Sequence, residues 1–223
     1  MKRRVAILIS GRGSNMAALI KAAAADDYPA DIAVVVSNRT DAPGLDRAKA
    51  SGIPTAVVES KPYGKDRAAF EAALQAVLDR HKVELICLGG FMRLFTPDFA
   101  QRWYGKMLNI HPSLLPSFPG LDPHGQALRA GVKISGATVH FVIPETDAGP
   151  ILMQGAVGVS DHDTAETLSE RILEVEHRIY PDALRLLASG AVRLDGEICK
   201  TPDSAGSGNF LISPVASADG TSV

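Results

Sequence analysis

What this 223-residue sequence lacks excludes several kinds of chemistry. Cysteine is scarce: Cys87 and Cys199 lie far apart and form no ligand spacing. The six histidines, at positions 81, 111, 124, 140, 162 and 177, make no H-x-x-x-H and no Cys/His cluster. No metal is therefore expected. No Gly-x-Ser-x-Gly occurs, so a serine-hydrolase elbow is unsupported. No Gly-Lys-Ser/Thr completes a Walker loop. An excess of one charge is also missing: the formal net charge is −2. Bulk attraction to nucleic acid or to an anionic membrane is thus not implied, and any anion site must be local. No apolar run approaches the roughly 18 residues of a membrane span. Met1-Lys-Arg-Arg4 before Val5-Ala-Ile-Leu-Ile9 imitates a signal peptide, but the apolar run stops at Ser10 and is too short and too polar in its sequel. A reducing cytoplasm is the simplest setting for a chain with so few cysteines.

What is present is an ordinary globular composition, 46% hydrophobic and 22% charged. Its length suits one large domain or two small ones. Val5–Ile9, Ile32–Val36, Thr55–Val58 and Leu85–Leu88 are short apolar runs, read as strands buried on both faces. Between them, helices are expected over Met16–Ala25, Ala42–Ser51 and Asp66–His81, the last with Phe70, Leu74, Val77 and Leu78 in register. This alternation predicts an α/β fold: a doubly wound, mostly parallel twisted sheet with helices on both faces. A strand over Met107–Ile110 and a helix over Pro123–Ala130 closed by Gly131 follow. Ile134–Ile143 and Ile151–Val159 then read as an antiparallel hairpin, and Thr164–Leu187 as one long helix. Residues 1–200 form a single domain on this reading. From Thr201 to Val223 the chain is Ser, Gly, Pro, Ala and Asp with little periodicity, and is expected to be disordered.

In such a sheet, ligands bind outside the carboxyl ends of the strands. Those ends are Ser10–Asn15, Ser37–Arg39, Gly89–Arg93 and Asn109–Pro112. Asn109 and His111 are two apart, so in extended backbone their side chains leave one face. An amide beside an imidazole can hold and protonate a developing oxyanion; a capped strand end with a structural Asn and His reads equally well. Gly11-Arg-Gly-Ser-Asn15 joins a strand to a helix, where glycines and free N–H groups admit a phosphate. Read alone it is also a plain tight turn. It is no dinucleotide fingerprint, since Met16 stands at the third glycine position. Gly89-Gly-Phe-Met-Arg-Leu-Phe95 offers Phe91, Met92, Leu94 and Phe95 either as core or as the wall of a flat apolar ligand. Asp147, in the turn Glu145-Thr-Asp-Ala-Gly149, is by default a turn former. Brought near His111, its carboxylate would favour the imidazolium and help move a proton.

Four motifs occur in order: Ile9-Ser-Gly-Arg-Gly-Ser-Asn15, Gly89-Gly-Phe-Met-Arg93, Leu108-Asn-Ile-His-Pro-Ser-Leu-Leu-Pro116 with Pro119-Gly120, and Asp147-Ala-Gly-Pro-Ile151. Over residues 4–195 the chain thereby resembles the phosphoribosylglycinamide formyltransferases of the folate-dependent formyltransferase family. The resemblance implies the formyltransferase fold and transfer of the formyl group of 10-formyltetrahydrofolate to glycinamide ribonucleotide in purine synthesis, with no metal. Asn109, His111 and Asp147 match the family's catalytic trio. Gly13, Ser14 and Asn15 match its phosphate loop, and Glu176 the acidic residue facing the ribose. Met92, Arg93, Leu94 and Phe95, with Ile143, Pro144, Glu145, Thr146 and Asp147, match segments around the pterin. Arg67 matches an arginine near the folate tail. Asp122 departs from the pattern, since some relatives carry histidine there.

Two rival classes share parts of this pattern. Another folate-dependent formyl enzyme, a 10-formyltetrahydrofolate hydrolase or a tRNA formyltransferase, would share the Asn/His/Asp set. The hydrolases usually add an amino-terminal regulatory domain, whereas here the first strand starts at once. The tRNA enzymes add a carboxyl-terminal domain, and a net charge of −2 is unfavourable for tRNA. A non-enzymatic phosphate sensor on the same sheet would not need the trio at all. The expected partners are small molecules, with no nucleic acid and no membrane, acting on a monomer or homodimer.

Overall fold

The computed structural model describes residues 1–201. The disorder expected for the tail concerns residues that, Thr201 apart, lie outside the described ones. A seven-stranded sheet runs in the order β3-β2-β1-β4-β5-β6-β7. Its strands are β1 (Arg3–Ile9), β2 (Ala30–Ser37), β3 (Thr55–Val57), β4 (Leu85–Leu88), β5 (Met107–His111), β6 (Ile134–Phe141) and β7 (Ile151–Gly158). The first five pair in parallel, while β6 and β7 run antiparallel to their neighbours. The doubly wound sheet with a later antiparallel hairpin is thus the observed architecture.

Four of the five parallel strands, β1, β2, β4 and β5, feed two cores, as their apolar runs require, whereas the edge strand β3 leaves Val57 exposed. Val5, Ile7 and Ile9 pack on one face with Met16, Leu19, Leu45, Leu168 and Ile172. Ala6 and Leu8 pack on the other with Phe70, Leu74, Leu78, Phe99 and Trp103. The first face is therefore covered by α1 (Ser14–Ala23), α2 (Gly44–Ala50) and α6 (Ala165–Ala188). The second is covered by α3 (Arg67–Arg80) and α4 (Pro97–Arg102). The remaining helix, α5 (Pro123–Ala130), begins at Pro123 and ends at a left-handed Gly131.

Several elements differ from expectation, each for a local reason. Helix α1 starts at Ser14, two residues before its first apolar position, because Gly13 caps it in the left-handed region (φ 68°). Helix α4 had no apolar periodicity to reveal it; Thr96 caps it, its side chain accepting from the Phe99 N–H at 3.3 Å, with Pro97 at the first position. Strand β6 stops at Phe141 rather than Ile143. The Phe141 N–H donates to the Pro150 carbonyl at 2.9 Å, and the Val142 N–H to Met107. After α6 comes an unforeseen hairpin, β8 (Arg193–Asp195) with β9 (Ile198–Lys200), turning at Gly196.

Helix α6 locks the strands that carry the site. Its Tyr180 is fully buried, and the hydroxyl lies 3.1 Å from the Leu88 carbonyl and 3.0 Å from the Leu108 carbonyl. One phenolic proton is thus shared between β4 and β5. Burial raises the Tyr180 phenol well above its ordinary pKa and pushes the neighbouring Cys87 thiol up to about 12, so both stay protonated. Tyr180→Phe should lower stability by about 1–3 kcal/mol, since it strips a donor from two buried carbonyls. Denaturant unfolding checks this, and an unchanged midpoint would show that the ladder alone satisfies them.

Candidate functional site

The site lies where β1, β4 and β5 end, with the turn after β6 folded over it. Strand β5 extends through His111, so Asn109 and His111 share a face, that of Met107 in the second core. The antiparallel neighbour β6 places His140 directly opposite Asn109, and Thr138 opposite His111. A bulge falls at this point: Val139 pairs with Met153, but His140 with Ile151. Bulges re-aim side chains and sharpen the local twist.

The polar contacts follow from that register. His140 Nδ1 is 3.0 Å from the Phe141 carbonyl, which fixes the proton on that nitrogen. Its Nε2 therefore accepts from the Asn109 amide N–H, at 3.1 Å. Burial lowers the His140 pKa below the ordinary imidazole value, outweighing the opposing pull of the Phe141 carbonyl and Asp147. A neutral His140 thus holds one Asn109 N–H, leaving the other free for a further acceptor.

Asp147 joins the cluster from the β6–β7 turn. It sits in the left-handed region at φ 53°, an uncommon conformation for a non-glycine and one concentrated at functional sites. Its Oδ2 accepts the Gly120 N–H at 2.9 Å and lies 3.4 Å from His111 Nδ1. Its Oδ1 stands 3.7 Å from His140 Nε2; with His140 neutral this is proximity, not an ion pair. On its other side His111 Nε2 donates to the Phe118 carbonyl at 2.9 Å. A protonated His111 therefore points its second N–H at the carboxylate. Gly149 makes the turn possible, because a Cβ there would sit 1.9 Å from the Phe141 carbonyl oxygen.

Thr138 and Gln154 hold the proline loop in place. Thr138 Oγ1 donates to the Ser113 carbonyl at 2.7 Å and accepts from the Leu115 N–H at 3.0 Å. Gln154 Nε2 reaches both Thr138 Oγ1 and the Leu115 carbonyl, each at 2.9 Å. Asp122 caps α5 from φ 54°, accepting the Gly125 N–H at 3.1 Å and pairing with Arg129. The position that departs from the family pattern is thus occupied by a helix cap.

The turn after β1 opens α1 with no side-chain cap and no acidic residue in its first turn. Its N–H groups face outward toward any anion. Asn15 Nδ2 donates to Glu176 Oε2 at 2.7 Å, tying α1 to α6. Burial raises the Glu176 carboxyl above its ordinary pKa, with the Asn15 hydrogen bond opposing it. Gly13, Ser14, Asn15 and Glu176 are therefore brought together, and the buried Asn15 Oδ1 has no partner among the described residues.

The segment after β4 divides the two readings its sequence allowed. Phe91 and Phe95 are partly buried in a stack that runs Phe70–Phe91–Phe95–Phe99. Met92 and Leu94 point out, 74% and 57% exposed. The Arg93 guanidinium lies 5.7 Å from the centre of the Phe70 ring. Arg67 is exposed at the first turn of α3. Ile143 is half-buried, and Pro144, Glu145 and Thr146 are exposed in the turn that carries Asp147. His140, Thr138, Gln154 and the Phe118 carbonyl were not singled out from the sequence. Only the register of β5 on β6 brings the first two to the site. Among the described residues, no group of three or more metal-ligating side chains comes together, and no helix is long and apolar enough to cross a membrane.

Known proteins resemble this chain along most of its length. The formyl transferase family matches residues 3–184. The phosphoribosylglycinamide formyltransferase of Bacillus subtilis is 44% identical over 185 residues, covering 83% of this chain and 94% of that protein. The crystal structure of glycinamide ribonucleotide transformylase 1 from Symbiobacterium toebii superposes with a TM-score of 0.87 at 44% identity, covering 91% of this chain and 95% of that one. The trifunctional purine biosynthetic protein adenosine-3 of Bos taurus is 53% identical over 200 residues, and the chain spans only 20% of its length. With a family match over most of its length and relatives this similar from end to end, the chain belongs to the formyl transferase family, on its phosphoribosylglycinamide formyltransferase branch.

Proposed function

We propose that this protein transfers the formyl group of 10-formyltetrahydrofolate to the amine of glycinamide ribonucleotide, giving formylglycinamide ribonucleotide and tetrahydrofolate. The observation that carries this reading is the cluster of Asn109, His111 and Asp147, with Oδ2 of the aspartate 3.4 Å from His111 Nδ1. The neutral amine attacks the formyl carbon, and the carbonyl oxygen becomes an oxyanion. The free N–H of Asn109 and a protonated His111 stabilise that charge. The ammonium formed by attack loses its proton, which Asp147 relays toward N10 as the C–N10 bond breaks. No side chain is acylated, so both substrates must be bound together. The helix start at Gly13, Ser14 and Asn15 takes the phosphate, Glu176 faces the ribose, and Met92–Phe95 with 143–147 and Arg67 take the folate. The same reading makes small molecules the partners of a cytoplasmic monomer or homodimer. Incubation with both substrates, followed by product mass and folate absorbance, tests it. A folded protein that releases formate without needing the ribonucleotide would instead be a hydrolase.

Asp147→Asn separates charge from geometry, because an amide oxygen still accepts the Gly120 N–H. It should lower kcat by about 10²–10⁴, as for loss of a general acid–base group. Both KM values should change little, since the ground states carry no oxyanion. Near-native kcat at every pH would reduce Asp147 to a turn former.

Glu176 gives a pH signature. Its folded pKa is raised by burial, so the folded state binds the proton more tightly than the unfolded chain. Stability therefore falls as pH rises from the unfolded carboxyl pKa through the folded one, then levels off. Glu176→Gln should remove that slope, raise the melting temperature of the free protein at neutral pH, and raise KM for the ribonucleotide. An unaltered slope in melting temperature against pH would mean that Glu176 is not the titrating group.

A further inference from the structure

The segment proposed to meet the folate hangs between two buried polar groups that no step of the transfer uses. At one end is Ser10, the last buried position before the phosphate loop. Its hydroxyl accepts the Met92 N–H at 2.8 Å and donates to Asn38 Oδ1 at 2.6 Å. Its own backbone N–H donates to the Gly90 carbonyl at 3.2 Å. Asn38 in turn donates to Ser60 Oγ at 3.2 Å, so Ser10, Asn38 and Ser60 form a buried chain at the ends of β1 and β2. At the other end is Glu71, on α3 and 5% exposed. Its carboxylate accepts the Thr96 N–H at 2.6 Å and the Thr96 hydroxyl.

Between these two points, Arg93 and Leu94 make no backbone hydrogen bond among the described residues. The stacked Phe91 and Phe95 rings, 5.6 Å apart, support the segment from below. Unpaired backbone donors and acceptors over an aromatic floor suit the polar edge of a planar heterocycle, provided their spacing is held. Buried groups are put at risk only where satisfied hydrogen bonds return a defined geometry.

We propose that Ser10 and Glu71 are positioning residues for the one-carbon donor, pinning Met92 and Thr96 so that the intervening backbone is set for the heterocycle before it binds. This rests on the formyl-transfer reading. Ser10 also ends the strand that leads into the phosphate loop, yet its hydroxyl is directed at Met92 and Asn38. Loss of the hydroxyl should therefore weaken the donor and spare the ribonucleotide.

Ser10→Ala and Glu71→Ala should each raise KM for 10-formyltetrahydrofolate about tenfold, since each leaves a part-buried amide N–H without the acceptor that fixes it. Both kcat and KM for glycinamide ribonucleotide should stay within about threefold, because neither pin acts in the transition state. Ser10→Thr and Glu71→Gln keep an acceptor and should return the donor KM toward the wild-type value. A donor KM that stays put while kcat or the ribonucleotide KM moves would overturn the proposal. Should the alanine variants unfold, amide exchange on the wild-type protein decides. Met92 and Thr96 should exchange far more slowly than Arg93 and Leu94, and equal rates would refute the pins. Absence of formyl transfer by the wild-type protein would overturn the function itself, with the exchange pattern still judging the pins.

Discussion

The antiparallel register of β6 on β5 is the constraint on which the rest depends. Pairing Asn109 with His140 puts an imidazole acceptor against the amide, and the bulge beside it places the extra residue, Leu152, on β7. The chain then reverses in the turn closed by the Phe141 N–H on the Pro150 carbonyl, and that turn carries Asp147 back over His111. A slip of one residue would send His140 into the core on the opposite face and Val139 toward Asn109. That core already holds Val139 and Phe141, both fully buried. Packing on one face thus enforces the polar arrangement on the other.

Electrostatics in this site are local. The chain is nearly neutral, at a formal −2, so no long-range field concentrates an anionic substrate. Instead, burial sorts the ionisable groups by form. His140 is kept neutral, which makes it an acceptor rather than a second cation beside His111. Asp147 is held by an N–H of the proline loop on one side and faces the His111 imidazole on the other. Glu176 accepts from Asn15, and the first turn of α1 carries no acidic residue of its own. A phosphate arriving there meets the free N–H groups and no competing cap.

Much of this was legible in the residues. The parallel strands announced themselves because burial on both faces leaves an unbroken apolar run, as in Val5–Ile9. Helix α5 was bounded by its Pro and Gly, and Leu85–Leu88 ended at a glycine pair. Asn109 and His111 could be set on one face by spacing alone. The short elements were hidden. Thr96-Pro97-Asp98 carried a helix start, yet six residues give too little periodicity to follow. Asp195-Gly196 carried a hairpin signal inside what read as the approach to a tail. The start of α1 lies two residues before its apolar pattern because Ser14 and Asn15 are polar, Asn15 bonding to Glu176 instead of adding to the apolar core. His140 could not be assigned at all, since its meaning lies in a partner across the sheet, 31 positions away.

The central claim is that a neutral His140 fixes the amide of Asn109, so that its second N–H is left for the oxyanion of the proposed transfer. Nitrogen-15 NMR of the histidine rings across the pH range tests this directly. The account predicts that His140 carries its proton on Nδ1 and titrates below the ordinary imidazole range, with its Nε2 shift showing an accepted hydrogen bond. It also predicts that Asn109→Ala changes that Nε2 signal and leaves the Nδ1 proton in place. A His140 that titrates in the ordinary range, or that carries its proton on Nε2, would contradict the account. Asn109 would then be held by something other than the strand opposite it.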